Sequence, residues 1–233
     1  MELLRLSPDG PANTTVADAY GAPLADVAEH HGRTGRAYVA LTMISSLDGS
    51  TSIDDESTPL PNATDAAVLR QARTLADVVL VGASTVRIGG YRRASRAGQR
   101  IAVVTSSLDL DLDADPFASG DGFLVTTDDA DVPEGVDVIR AGSGRVDIGR
   151  AIDELGRLGY DHISAEGGSR LNGAVLDAGA PDELNLTMSP RLVGGDGPRL
   201  TRGATVVDHQ LELAQIYVDA ESYVFTRWRR SLV

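Results

Sequence analysis

At 233 residues, 42% hydrophobic and 24% charged, the chain has an ordinary globular composition and enough length for a full core. A net charge of −13 argues against nucleic acid or anionic membranes as partners, and no apolar run approaches membrane-spanning length. Cysteine and lysine are both missing, which excludes a disulfide framework, thiolate metal sites, a cysteine nucleophile, P-loop lysines and Schiff bases.

The first residues lack the apolar core of a signal peptide, so a soluble cytoplasmic protein is expected. Residues 1–36 are polar and rich in small side chains, and Gly21 and Pro23 interrupt any helix over Ala17 to His31. This segment reads as an arm for packing or dimer contact, ahead of one domain over 37–233. The first strong strand runs from Ala37 to Ile44 and ends in Ser45-Ser46-Leu47-Asp48-Gly49-Ser50, whose Asp-Gly step suits a tight turn. Asn62 is placed to cap a helix that carries its pattern over Ala66 to Arg73. Val78 to Val81 is a short, wholly apolar strand of the kind buried on both faces of a parallel sheet, and Gly82-Ala83-Ser84-Thr85 follows it. Five arginines then cluster at 87, 92, 93, 96 and 100, a place to look for phosphate recognition although some belong to a solvated loop.

Ile101 to Val104 is a further buried strand, ending in Thr105-Ser106-Ser107, and the acidic stretch from Leu108 to Asp115 reads as a solvent-facing loop. Short strands follow at Gly122 to Thr126 and Val136 to Ile139. Asp147 is a natural cap for an amphipathic helix over Ile148 to Leu158, closed by Gly159. The stretch from His162 to Leu176 is a strand, a Gly167-Gly168 turn and a helix with Ser169 near its start. A glycine turn opening a helix lets backbone N–H groups approach an anion, and Glu166 stands at the strand's carboxyl end, where ligands sit in open α/β sheets. Asp182 to Ser189 alternates as a strand, and Leu211 to Val218 with Ser222 to Trp228 forms a closing antiparallel hairpin. The hairpin's apolar Leu211, Leu213, Ile216, Val218, Val224 and Phe225 suggest a homodimer contact. The strand–helix order gives an α/β fold: a mostly parallel central sheet, helices on both faces, and a C-terminal antiparallel hairpin.

Three strand ends therefore carry glycine or hydroxyl turns: Gly82 to Thr85, Thr105 to Ser107 and Gly167 to Ser169. At one sheet edge they can line a groove of dinucleotide length. No G-x-G-x-x-G follows the first strand, so the standard Rossmann fingerprint is missing. None of His30, His31, His162 and His209 is assigned to metal binding or general-base work, with His162 and His209 read as strand residues.

Ser46 to Gly49, Val81 to Val86 and Glu166-Gly167-Gly168, with Asp182-Glu183-Leu184 and Ser189 to Gly195, occur in an order and spacing that resembles the riboflavin-biosynthesis reductases. That family corresponds to the C-terminal domain of the bifunctional deaminase/reductase and has a dihydrofolate-reductase-like fold. The resemblance, over about residues 37–227, implies NADPH-dependent reduction of a 5-amino-6-(ribosylamino)pyrimidine 5′-phosphate to its ribitylamino form, with hydride passing to the sugar C1′. It implies NADPH contacts at Gly82, Ala83, Thr85 and Ser106. Further contacts come from the backbone beginning at Gly167 and Gly168 and continuing through Ser169, Arg170, Leu171 and Asn172. The small phosphorylated pyrimidine would meet Ser57, Arg73, Arg96 and Glu166. Asp48 could orient the substrate or relay a proton, alongside its plain role in a turn, and Glu166 is the second catalytic candidate. The family's deaminase needs cysteine zinc ligands, so this chain reads as a stand-alone reductase. It departs from the family at Ile88-Gly89-Gly90-Tyr91, in place of an Asp-Asp-Pro run, and at Ser57-Thr58-Pro59-Leu60, where a Trp is common. A pocket reshaped there could serve another imine, carbonyl or pteridine, and a non-catalytic NADPH-binding module is the alternative outside enzymes.

Overall fold

Apolar runs too short and too uniformly buried for amphipathic helices make the middle of a sheet. A computed structural model describes residues 2–6, 12–53, 59–89 and 94–230. Among these, the strands are β1 (Glu2–Leu6), β2 (Ala12–Thr15), β3 (Tyr38–Ser46), β4 (Val78–Gly82), β5 (Arg100–Val104), β6 (Gly122–Thr126), β7 (Val138–Arg140), β8 (His162–Ala165), β9 (Glu183–Ser189), β10 (Leu211–Val218) and β11 (Val224–Arg230). The helices are α1 (Val16–Ala19), α2 (Val27–Thr34), α3 (Ala63–Leu75), α4 (Ala83–Gly89), α5 (Ile148–Arg157) and α6 (Ser169–Asp177). All eleven strands join one sheet in the order β2-β1-β10-β11-β9-β3-β8-β4-β5-β6-β7. From β9 to β7 every neighbouring pair is parallel; β11, β10, β1 and β2 extend it antiparallel.

Helices cover both faces. On one, α5 and α6 lay Ala151, Ile152, Leu155, Leu171 and Val175 against Val39, Leu41, Leu80 and Ile163. Each fully buried Leu or Ile in this layer contributes roughly 1.5–3 kcal/mol. Asp147 caps α5 by accepting from the Arg150 N–H at 3.0 Å, and Asn62 caps α3 by accepting from the Asp65 N–H at 3.0 Å, each cap contributing about 1 kcal/mol. The second face packs Val68 of α3 with Val16, Tyr20, Tyr217 and Phe225.

The arm is built into the sheet. Its β1 pairs with β10, and its helical stretch is broken, as Gly21 and Pro23 suggest, into α1 and α2. Arg227 on β11 locks it down, donating to the carbonyls of Ala19 and Ala22 and to Glu183 Oε1 at 2.8 Å. β10 lies between β1 and β11, with β1 paired to Ile216, Tyr217 and Val218 at its end. Phe225 is buried, and Leu213 is the hairpin's exposed large apolar residue. His209 precedes β10 rather than lying in it, whereas His162 opens β8 and is buried.

The strands around β8 end at different heights. Ala165, its last residue, is level with Leu41 of β3 and Leu80 of β4. Strand β3 runs on through residues 42–46, about 16 Å at 3.3 Å per residue, and β4 through two more. The sheet thus carries a notch at the carboxyl end of its shortest central parallel pair of ladders.

Candidate active site

The notch opens into a cleft of about 1740 Å³ along the carboxyl edge of the sheet. Gly82 to Thr85, Thr105 to Ser107, and Gly168 with Ser169 all line it, so the three strand-end turns converge on one space.

One half of the cleft is rich in hydrogen-bond donors. Helix α6 begins at Ser169 with Gly168 as its cap residue and no side-chain cap, which leaves its first N–H groups for a ligand. Thr85 Oγ1 accepts from the Gly168 N–H at 2.8 Å, and Gly167 O accepts from the Gly82 N–H at 2.8 Å, tying the first and third turns together. The Gly167–Gly168 peptide is cis, and Gly167 has φ +88°. A Cβ on Gly167 would lie 2.9 Å from Met43 Sδ, so only glycine fits this turn. A Cβ on Gly168 would come within 3.1 Å of Thr85 Oγ1 and 3.6 Å of Ser84 Oγ; its lack keeps both hydroxyls accessible beside the helix start. Serine and threonine hydroxyls, a bare helix N-terminus and exposed Arg170 form a donor set suited to the pyrophosphate and ribose of a dinucleotide.

The other half is walled by β3 and α3, with Thr42, Ile44, Asp65, Leu69 and Arg73 on its surface. Arg73 and Glu166 meet in a bidentate pair, Nε to Oε1 at 2.7 Å and Nη2 to Oε2 at 2.6 Å. The Glu166 side chain is 1% exposed and the Arg73 side chain 23%. Glu166 is therefore no open carboxylate waiting for substrate, as the sequence suggests; its two oxygens hold a guanidinium whose outer edge faces the cleft. Because Glu166 precedes Gly168 by two residues, this pair lies where the two halves meet. Burial pushes the Asp65 carboxyl up from the ordinary range, with the Thr187 hydroxyl opposing the shift.

Four expected site residues fall elsewhere, the first being Gly167, which is buried behind the turn with its carbonyl taken by the Gly82 N–H. Asp48 does not line the cleft: its carboxylate accepts from Ser46 Oγ at 2.5 Å and from the N–H groups of Val193 and Gly194 at 3.1 and 2.7 Å. Those bonds hold it well below the usual carboxylate range, with the Ser46 bond the largest cause. It clamps the β3 turn to the 190s loop. Arg96 stands only four residues before β5 begins, so it lies at the amino end of the sheet, donating to Ala76 O at 2.9 Å and lying 3.6 Å from Asp77. Asn172 is fully buried one turn into α6, facing the protein, where its amide donates to Leu200 O at 2.7 Å. Ser57 lies outside the described residues, as do Arg92, Arg93, Gly90 and Tyr91.

Sequence reasoning missed the loop Gly142 to Asp147 after β7, which lines the donor-rich half. The Ala-Gly-Ser-Gly pattern there is a fourth strand-end glycine turn, and Gly142 at φ +90° makes it. Asp65 was also missed, because an acidic residue in a first helical turn has an ordinary dipole role. Among the described residues no helix is long and apolar enough to cross a membrane, and no group of three His, Cys, Asp or Glu is placed to hold a metal.

A parallel sheet with an antiparallel extension, opening into a donor-lined cleft at its carboxyl edge, gives an α/β protein of dihydrofolate-reductase-like architecture. Residues 37–225 match the RibD C-terminal domain family, and the chain belongs to it. It is 26% identical over 216 residues to a 2,5-diamino-6-ribosylamino-4(3H)-pyrimidinone 5′-phosphate reductase of Methanothermobacter thermautotrophicus, covering 81% of this chain and 96% of that protein. It is 29% identical over 182 residues to the riboflavin biosynthesis protein RibD of Actinobacillus pleuropneumoniae, covering 71% of this chain and 48% of that longer relative. In fold it resembles a pyrimidine reductase-like protein from Corynebacterium diphtheriae, with a TM-score of 0.80, 23% identity, and 94% and 100% of the two chains covered. A deaminase/reductase from Thermotoga maritima gives a TM-score of 0.71 at 18% identity, covering 88% and 60%.

Proposed function

We propose that this protein is an NADPH-dependent reductase that converts a 5-amino-6-(ribosylamino)pyrimidine 5′-phosphate to the ribitylamino form. The observation that carries this reading is one continuous cleft in which a donor-rich trough meets an arginine–glutamate pair. When bound, NADPH would supply the hydride to C1′ of the ring-opened imine, whose nitrogen takes up a proton. The chain's own groups bind and orient. Ser84, Thr85, Ser106, the α6 N-terminus and the Gly142 to Asp147 loop would grip the dinucleotide. Arg73, held in plane by Glu166, would engage the sugar-phosphate, and a bidentate carboxylate keeps its guanidinium in a single orientation. Such positioning can supply much of the acceleration in hydride transfer, because reacting atoms must be held about 3–3.5 Å apart.

The test is NADPH oxidation by purified protein with and without the ribosylaminopyrimidine phosphate. Substrate-dependent oxidation with a ribitylamino product supports the reading. Tight NADPH binding without oxidation overturns it in favour of a sensor or a reductase of another imine, carbonyl or pteridine.

A further inference from the structure

The chain holds no cysteine, so methionine carries all of its sulfur chemistry, and Met43 lines the cleft. It stands on β3 two residues past Leu41, the last β3 position paired with β8, and on the same face as Leu41, packed against the layer under α5 and α6. Its side chain therefore lies in the notch, against the Gly167–Gly168 turn. Met43 Sδ and Cε are 2.9 and 3.4 Å from the point where a Cβ on Gly167 would stand. The next neighbour of that point is Asn172 Oδ1 at 3.7 Å, fully buried and meeting no hydrogen-bond donor among the described residues. The same turn fixes the start of α6, through the Gly168 N–H on Thr85 Oγ1 and the Gly82 N–H on Gly167 O, both at 2.8 Å. A half-buried thioether thus supports the donor-rich half of the cleft. Volume alone does not call for methionine here, because leucine is a near match in size. What the sulfur adds is redox chemistry.

We propose that Met43 is a site of reversible oxidation by hydrogen peroxide, and that its sulfoxide unlocks the turn under α6. The consequence for NADPH rests on the reductase reading above; the chemistry at sulfur does not. In the step itself the sulfur loses two electrons, an S–O bond forms as the peroxide O–O bond breaks, and the second oxygen leaves as water with both protons. The product is a polar, hydrogen-bond-accepting group in place of an apolar thioether. Beside it stand the unpartnered Asn172 Oδ1 and a turn whose Gly167 carbonyl and Gly168 N–H are already engaged. A new acceptor next to one that already lacks a donor is costly in a buried space. The turn must move to hydrate it, and the first N–H groups of α6 move with the turn. Met188 is an internal control, half-buried on β9 between Ser45 and Val224 and not lining the cleft.

The experiment treats the purified protein with hydrogen peroxide in steps, follows oxygen gain at each methionine by peptide mass spectrometry, and checks the fold by circular dichroism. As Met43 is converted, amide exchange over residues 166–172 should quicken about tenfold, and NADPH should bind about tenfold more weakly. Methionine sulfoxide reductases with a thiol reductant should restore both values in the same sample. Met43→Leu, still oxidised at Met188, should show neither change relative to its own untreated state. Met43→Gln, which places a polar group there without peroxide, should show both from the start. A Met43 that stays unoxidised while Met188 is converted overturns the proposal. So does an oxidised Met43 with unchanged exchange at the turn, or a peroxide effect that survives in Met43→Leu. If the untreated wild type binds no NADPH, the cofactor reading falls, while exchange at the turn still decides the role of Met43.

Discussion

Two arginine–glutamate pairs with a buried glutamate stand out among the described residues, Arg227–Glu183 and Arg73–Glu166, and their surroundings differ. Side chains of the first pair are 4% and 2% exposed. Arg227 donates to Asn185, Gln215, Glu183 and the carbonyls of Ala19 and Ala22, while Glu183 Oε2 accepts from Tyr38 and from the Leu24 N–H, both at 2.8 Å. The guanidinium also lies 4.8 Å from the Tyr20 ring centre. Every partner is protein, so the pair seals the arm. In the second pair the glutamate is as deeply buried, but the arginine keeps 23% of its surface, and that surface borders the cleft. Burial of the acid together with exposure of the base sets the guanidinium on the cleft wall, as the proposed substrate contact requires.

Removing one member of the sealed pair should have the largest effect. Glu183→Ala leaves a buried guanidinium unpaired and should cost about 3–5 kcal/mol, read by urea denaturation. Amide exchange should quicken through residues 12–34. The double replacement Glu183→Leu with Arg227→Met should recover most of that loss, and failure to recover it would mean that the arm needs the charges themselves. Arg73→Met should lower kcat/KM about 100-fold, or roughly 2.7 kcal/mol of transition-state binding, with a smaller loss of stability than Glu183→Ala. A variant that loses stability but keeps its turnover would make the two pairs equivalent.

The contrast between buried support and cleft contact extends to smaller effects. Asn172→Ala should cost about 1–3 kcal/mol of stability through its lost bond to Leu200 and leave NADPH affinity alone. Thr85→Val should weaken NADPH about tenfold and, because it also removes the acceptor of the Gly168 N–H, cost about 1 kcal/mol of stability. The smallest effect is expected from Asp48→Asn, with kcat within about twofold of wild type. Its pH signature is specific. Because the folded state depresses the Asp48 carboxyl, the clamp's contribution is complete above the unfolded value of 3.8 and is lost as pH falls toward the depressed one. The wild type should therefore lose, on acidification below pH 3.8, a stability increment that Asp48→Asn lacks at every pH.

Much of this molecule is legible in its sequence because its signals are local. Four-residue apolar runs mark β4 and β5; Asn62 and Asp147 mark helix starts; the glycine pair at 167 and 168 marks the turn under α6. The errors share a cause. Arg96 is a substrate contact by family resemblance alone, whereas the strand that follows places it at the opposite end of the sheet. Asp48 looked chemical because no local pattern reveals that Val193 and Gly194, far along the sequence, would claim its oxygens. Glu166 was correctly located but read as open, since its pairing with Arg73 depends on how α3 crosses β8.

The notch above β8 carries a further consequence. Its depth comes from unequal ladder lengths, not from the bulk of any side chain, so no point substitution along the rim can close it. Extending β8 by two paired residues would raise the floor by about 7 Å and expel whatever occupies it. Specificity can thus drift by exchanging wall residues on β3 and α3 while the chamber itself persists as long as that one ladder stays short.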